Sequence, residues 1–228
     1  MIAREVGNHQ REAESLQTLG NAYHSLGQDL QAIECYLQVL IMAREINDRN
    51  GEAMSLGSLG MAYKALGQHS QAIEHYQQAL VIAQAIGNRQ SEAIDLGNMG
   101  ATYYSMGQYT QAIKHYQQAL VIKREISDRH GEAISLFNLG NALARVDQKW
   151  EARQAYESAR TLYQDMGLSK MVEDCDRALD NLSQMVVAEP KAVPTLPTPS
   201  LPRPQRVPIA LWFLVGLGIA ALLWWLLR

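Results

Sequence analysis

The sequence repeats itself with a constant step of forty residues, and a period of that size constrains the architecture before any single residue is interpreted. Leu19-Gly20-Asn21-Ala22-Tyr23 returns as Leu59-Gly60-Met61-Ala62-Tyr63, then as Met99-Gly100-Ala101-Thr102-Tyr103 and as Leu139-Gly140-Asn141-Ala142-Leu143. A chain of this kind is a stack of like units, each burying its apolar face against its neighbours. Within a unit the apolar residues recur at helical intervals, as in Leu56, Leu59, Tyr63 and then Ile73, Tyr76, Leu80. Each unit is therefore expected to be two helices, and the fold class all-α.

The punctuation agrees. Leu26-Gly27-Gln28, Leu66-Gly67-Gln68 and Met106-Gly107-Gln108 stand between the helices of a unit, where a left-handed residue ends a helix. The fourth unit has Val146-Asp147-Gln148, and Asp tolerates that conformation better than most residues. Asn8, Asp48, Asn88 and Asp128 precede the first helices and suit N-caps. Gly20, Gly60, Gly100 and Gly140 lie inside first helices, where glycine costs about 1 kcal/mol relative to alanine. That cost calls for a compensating close approach, with Tyr36, Tyr76, Tyr116 and Tyr156 as the bulky partners.

The order Leu-Gly-x-x-Tyr, Leu-Gly-Gln, Ala-Ile-x-x-Tyr and Ala-Leu resembles the tetratricopeptide repeat (TPR), in a long-helix form similar to that of kinesin light chains. The resemblance covers about residues 1–166. It implies a right-handed superhelical solenoid of helical hairpins, with a concave face lined by the first helices. The proline that often closes such repeats is absent; Arg44, Gln84, Arg124 and Gln164 stand in its place. The fourth unit departs from the pattern at Leu143, Arg153 and Arg160, as a terminal unit facing solvent on one side does.

The expected organisation is an array over 1–188, a linker over 189–208 and a membrane span over 209–227. Ala3-Arg4-Glu5-Val6-Gly7-Asn8 matches Ala43-Arg44-Glu45-Ile46-Asn47-Asp48, so 1–8 reads as half a repeat, the tail of a second helix. Repeats follow at about 9–48, 49–88, 89–128 and 129–167, then a capping helix at 168–188. All seven prolines fall between Pro190 and Pro208, which makes that segment an extended spacer. Ile209 to Leu227 carries no charge, and as a helix it is about 28 Å long, close to the thickness of bilayer hydrocarbon. Trp212, Trp224 and Trp225 lie near its ends, where indoles favour the interface. Lys191, Arg203 and Arg206 precede it, which places the array in the cytoplasm as part of a single-pass, tail-anchored protein. Gly216 and Ala220 form a small-xxx-small pair suited to weak self-association of the anchor.

The charge divides at the same boundary: residues 1–188 hold 16 basic and 22 acidic side chains, residues 189–228 hold four and one. An acidic array argues against nucleic acid. No phosphate-cradling loop, nucleophile elbow or metal-binding His-Glu-x-x-His occurs, so neither an enzyme nor a cofactor is expected. Cys35, His75 and His115 share one register on successive second helices, but neighbouring helices about 10 Å apart hold such side chains too far apart to share a metal.

What remains is protein binding. One stripe of each first helix is nearly invariant among the repeats and forms the packing face; a second stripe varies. Its members include Met54, Met61, Ile94, Tyr104, Ile134, Phe137 and Asn141, and the resemblance places it on the concave surface. Methionine, isoleucine and phenylalanine there suit a groove for an apolar or amphipathic segment of a protein or peptide. A carboxylate clamp for chaperone tails is not expected: only Asn21 and Asn141 match it, and Met61, Gly97 and Ala101 stand where it requires polar groups. The expected function is a membrane-anchored adaptor; the alternative is a fragment of a larger TPR-containing signalling regulator.

Overall fold

The computed structural model describes the backbone of residues 2–187 and the side chains of residues 9–184. The described residues form nine helices and no strand: α1 (Ile2–Ser25), α2 (Asp29–Glu45), α3 (Arg49–Ala65), α4 (His69–Ala85), α5 (Arg89–Ser105), α6 (Tyr109–Glu125), α7 (Arg129–Arg145), α8 (Lys149–Asp165) and α9 (Ser169–Val187). Helices α2 to α8 each span 17 residues, so two such helices and two three-residue turns make the forty-residue step. No described helix is long and apolar enough to cross a membrane. The proline-rich linker, the apolar run 209–227 and the Gly216–Ala220 pair lie outside the described residues.

The turns are made as local chemistry dictates. Gln28, Gln68, Gln108 and Gln148 each donate a backbone N–H to the carbonyl five residues back, at 2.9 to 3.0 Å, closing the preceding helix. The intervening residue is left-handed in each, including Asp147 at φ 62°. Between units the same geometry recurs at Asn47, Gly87, Ser127 and Gly167, a second set of left-handed positions that the glycine pattern alone did not reveal. Asp48, Asn88 and Asp128 cap α3, α5 and α7, accepting from Gly51, Ser91 and Gly131 N–H at 3.0, 3.0 and 2.9 Å.

Asn8 does not cap. α1 runs unbroken from Ile2 through the expected junction, so 1–8 is not set off from the first repeat by a turn. Elsewhere the turn is held because a second helix folds back onto a first helix; among the described residues no helix precedes α1 to receive that contact, and helical propensity carries through.

The glycines meet their tyrosines. A Cβ on Gly60 would stand 2.5 Å from Tyr76 Cε1, and Gly20, Gly100 and Gly140 face Tyr36, Tyr116 and Tyr156 in the same way. Around this interlock Ala32, Ala72, Ala112 and Ala152 are fully buried. The positions that depart from the family's closing proline have acquired another task. Arg44 Nε donates to Glu52 Oε1 at 2.9 Å, Gln84 Nε2 to Glu92 at 3.0 Å and Arg124 Nε to Glu132 at 2.7 Å, tying α2, α4 and α6 to the first helix that follows each.

Successive first helices also touch, α3 with α5, α5 with α7 and α7 with α9, whereas α2, α4, α6 and α8 do not pack on one another to that extent. The stack therefore curves with its first helices inside. α9 closes the far end, burying Cys175 and Leu182 against α8.

One tyrosine of the interlock is incompletely satisfied. Tyr36 and Tyr156 donate to Asn21 and Asn141 Oδ1 at 2.8 and 2.9 Å, but Met61 replaces that asparagine opposite Tyr76, whose hydroxyl is buried without a partner. Tyr76→Phe is expected to leave stability unchanged or raised, whereas Tyr36→Phe costs about 1 kcal/mol. Urea unfolding of the two variants side by side checks the contrast.

Candidate protein-binding surface

The inner face is built from one register of the first helices. Met54, Ile94 and Ile134, on α3, α5 and α7, keep 50%, 44% and 41% of their surface exposed although they belong to the core-forming half of the composition. They stand one per helix at equivalent positions and form a column across three repeats. One turn further on, Gly57 and Gly97 leave the face without side chains, and Phe137 stands in that register on α7.

The other residues of the variable stripe are half-buried and already engaged. Met61 packs against the cluster of Tyr76 and Met99. Tyr104 meets Tyr109 edge-on at 5.3 Å, and the Arg145 guanidinium lies 5.1 Å over the Tyr109 ring. Phe137 lies 5.6 Å from the Tyr156 ring, and Asn141 accepts the Tyr156 hydroxyl bond. The structure thus divides the stripe into an exposed column of three aliphatic side chains and a flank that also supports the hairpins.

Beneath the column lies a group that patterning did not single out. Asp95 is buried, with Oδ1 against Gly57, where a Cβ would stand 3.1 Å away. Burial pushes its carboxyl up to about 7. The signal was present in the sequence, since Asp95 is the one acid in a register otherwise occupied by Ser15, Ser55 and Ser135.

The histidines of the second helices serve as packing. His75 stacks on Tyr63 at 5.0 Å and His115 on Tyr103 at 5.2 Å, and burial lowers both imidazoles below their ordinary value. Cys35 is buried, and burial raises its thiol. Among the described residues no group of His, Cys, Asp or Glu is arranged to hold a metal ion.

The sequence profile of the tetratricopeptide repeat matches residues 12–85 and 90–165. The fold is similar to aspartyl phosphate phosphatase F from Bacillus subtilis, with a TM-score of 0.68 at 17% identity over 78% of this chain and 50% of that one. It is also similar to a Rap protein complexed with competence and sporulation factor, with a TM-score of 0.65 at 15% identity over 77% of this chain and 49% of the other. A kinesin light chain from Podospora anserina with nearly identical TPR-like repeats matches with a TM-score of 0.57 at 19% identity, over 77% of this chain and 97% of that chain. This chain spans about half the length of the first two of these structures. Among curated proteins the sequence finds no match.

Proposed function

Because the chain belongs to the tetratricopeptide repeat family, we propose that it is a protein-interaction scaffold whose inner face receives an apolar or amphipathic polypeptide segment, and that residues 209–227 anchor it to a membrane with the array in the cytoplasm. The observation that carries the binding reading is the column of Met54, Ile94 and Ile134, three exposed aliphatic side chains in one register of the first helices. Such side chains favour an apolar partner, and polar residues at other registers of the face set its orientation. The solved complex of a Rap protein with competence and sporulation factor supports a bound partner for this kind of array. The family also supports a right-handed path for the superhelix. Anchoring rests on the uncharged run and its basic flank.

A second reading, part of a larger regulator, is favoured by the outer face of α1. Leu19 is 44% exposed there, whereas Leu59, Met99 and Leu139 in the same register are buried, so this face has the chemistry of an internal repeat.

One experiment addresses binding and anchoring together. The full chain, expressed in cells, is expected to stay with membranes through a carbonate wash and to be crosslinked to a partner there. Ile94→Asp with Ile134→Asp should lower crosslinking at least about tenfold, as loss of central interface anchors does, with an unchanged melting temperature. Extraction by carbonate would remove the anchor from the proposal; undiminished crosslinking would remove the column.

A further inference from the structure

The three junctions between successive units share a register but not their contents. At α7, Asp128 Oδ1 accepts from Gly131 N–H at 2.9 Å, and its Oδ2 accepts from Lys123 Nζ at 2.7 Å. Lys123 is buried, and its stem runs over Gly131 so closely that a Cβ there would stand 2.7 Å from Lys123 Cδ. At α5 the cap is the neutral Asn88, with Ala83 in the register of Lys123 and Ser91 in that of Gly131. Both sets are consistent within themselves: carboxylate, lysine and glycine in one, amide, alanine and serine in the other.

At α3 the sets are mixed. Asp48 and Gly51 repeat the carboxylate and the glycine, with the cap bond at 3.0 Å, but the register of the lysine holds Ala43. Beside Ala43 a hollow of about 400 Å³ opens among α1, α2 and α3. Val39, Ala43 and Ile46 give it an apolar wall, and Asp48 and Glu14 give it two carboxylates; no cationic residue lines it. Gln17 also lines it, and its Oε1 is buried with no hydrogen-bond partner among the described residues. A hollow with an apolar wall and two carboxylates suits a side chain with an aliphatic stem and a cationic, multiply donating end.

We propose that this hollow is a socket for a lysine side chain of the bound polypeptide. The stem lies along Val39, Ala43 and Ile46, and the ammonium donates to Asp48 Oδ2, with Glu14 as the further carboxylate lining the same hollow. Met54 and Glu14 border the hollow in the register that carries Ile94 and Ile134, so a segment lying on the exposed column passes it. The assignment rests on the scaffold reading above and adds to it the chemistry of one anchor: a lysine placed beyond an apolar stretch.

The test uses the full chain with n-butylammonium, which has the chemistry of the lysine end, and n-butanol as its uncharged counterpart. Methyl NMR signals of Met54 and Ala43 are expected to shift with the amine, with about tenfold weaker response to the alcohol and to the amine in Asp48→Asn. Ala43→Lys should raise the melting temperature and abolish the response, because it rebuilds the junction seen at Lys123. Equal response to amine and alcohol, or a lower melting temperature for Ala43→Lys, overturns the socket. Peptides selected on the full chain from a random library should share one lysine, and replacing it by norleucine should weaken binding about tenfold in wild type but not in Asp48→Asn. Peptides that lose binding with Ile94→Asp yet show no lysine preference overturn the socket and leave the scaffold reading standing. No peptide binding at all overturns both. If the wild-type hollow rejects the amine and Lys191→Met admits it, the occupant is the chain's own tail and the partner assignment falls.

Discussion

Replacing Asp95 by serine is expected to stabilise the array, and by about 3 kcal/mol more at pH 8 than at pH 5. The carboxyl sits buried against Gly57 at a position where Ser55 and Ser135 instead donate to the carbonyls of Gly51 and Gly131, at 2.5 and 2.8 Å. Its value rises from the usual 3.8 to about 7 because burial disfavours the charged form and no cation offsets it. The sign follows. Folded Asp95 keeps its proton to a higher pH than unfolded Asp95 does, so the stability it permits is full below about pH 4, declines as pH rises and levels off above about 7. Each pH unit in that window is worth about 1.4 kcal/mol, and the serine variant lacks this slope. Urea midpoints of both proteins at several pH values measure the difference, and the difference cancels the opposite slope contributed by His75 and His115. Parallel curves for the two proteins would falsify the burial of an uncompensated carboxylate at this position.

Gly60→Ala is expected to cost about 2 kcal/mol or more, against the intrinsic preference of a helix for alanine by about 1 kcal/mol. The added methyl would stand 2.5 and 2.7 Å from Tyr76 Cε1 and Cδ1, on a ring with no exposed surface to retreat into. Gly97→Ala supplies the control, since nothing lies within 4 Å of that position. There the same substitution in the same kind of helix should gain about 1 kcal/mol. Opposite signs in thermal unfolding are the expected outcome; two stabilising substitutions would show that the glycine register does not interlock with the tyrosines.

Both effects come from comparing equivalent positions, and so does most of what was legible in the sequence. The two-helix unit, the turns from Gly27 onward and three of four caps follow from residues that recur every forty positions, because the packing that selects them recurs as well. Asn8 misleads for the complementary reason: its sequence context repeats, but among the described residues no earlier first helix packs beside it. The variable stripe was identifiable as a stripe, yet its division into the exposed Met54, Ile94 and Ile134 and the engaged Tyr104, Phe137 and Asn141 was not. That division depends on which rings lean across the hairpin, and helical spacing carries no such information. The ion ties of Arg44 and Arg124 to the following helix were likewise invisible, because their partners lie across a turn in three dimensions and eight residues on in the chain.

The open outer row of helices has a mechanical meaning. Gaps of about 520 and 440 Å³ separate α4 from α6 and α6 from α8, whereas the inner helices α3, α5, α7 and α9 touch in succession. Fanning the outer row open or shut therefore breaks few contacts, whereas sliding one hairpin along the next breaks the ties of Arg44, Gln84 and Arg124 to the following first helix. Such an array is stiff in shear and compliant in bending. It behaves as a leaf spring whose inner surface can tighten or relax around its cargo by small rotations shared among repeats, with each side chain of the column kept in its own register.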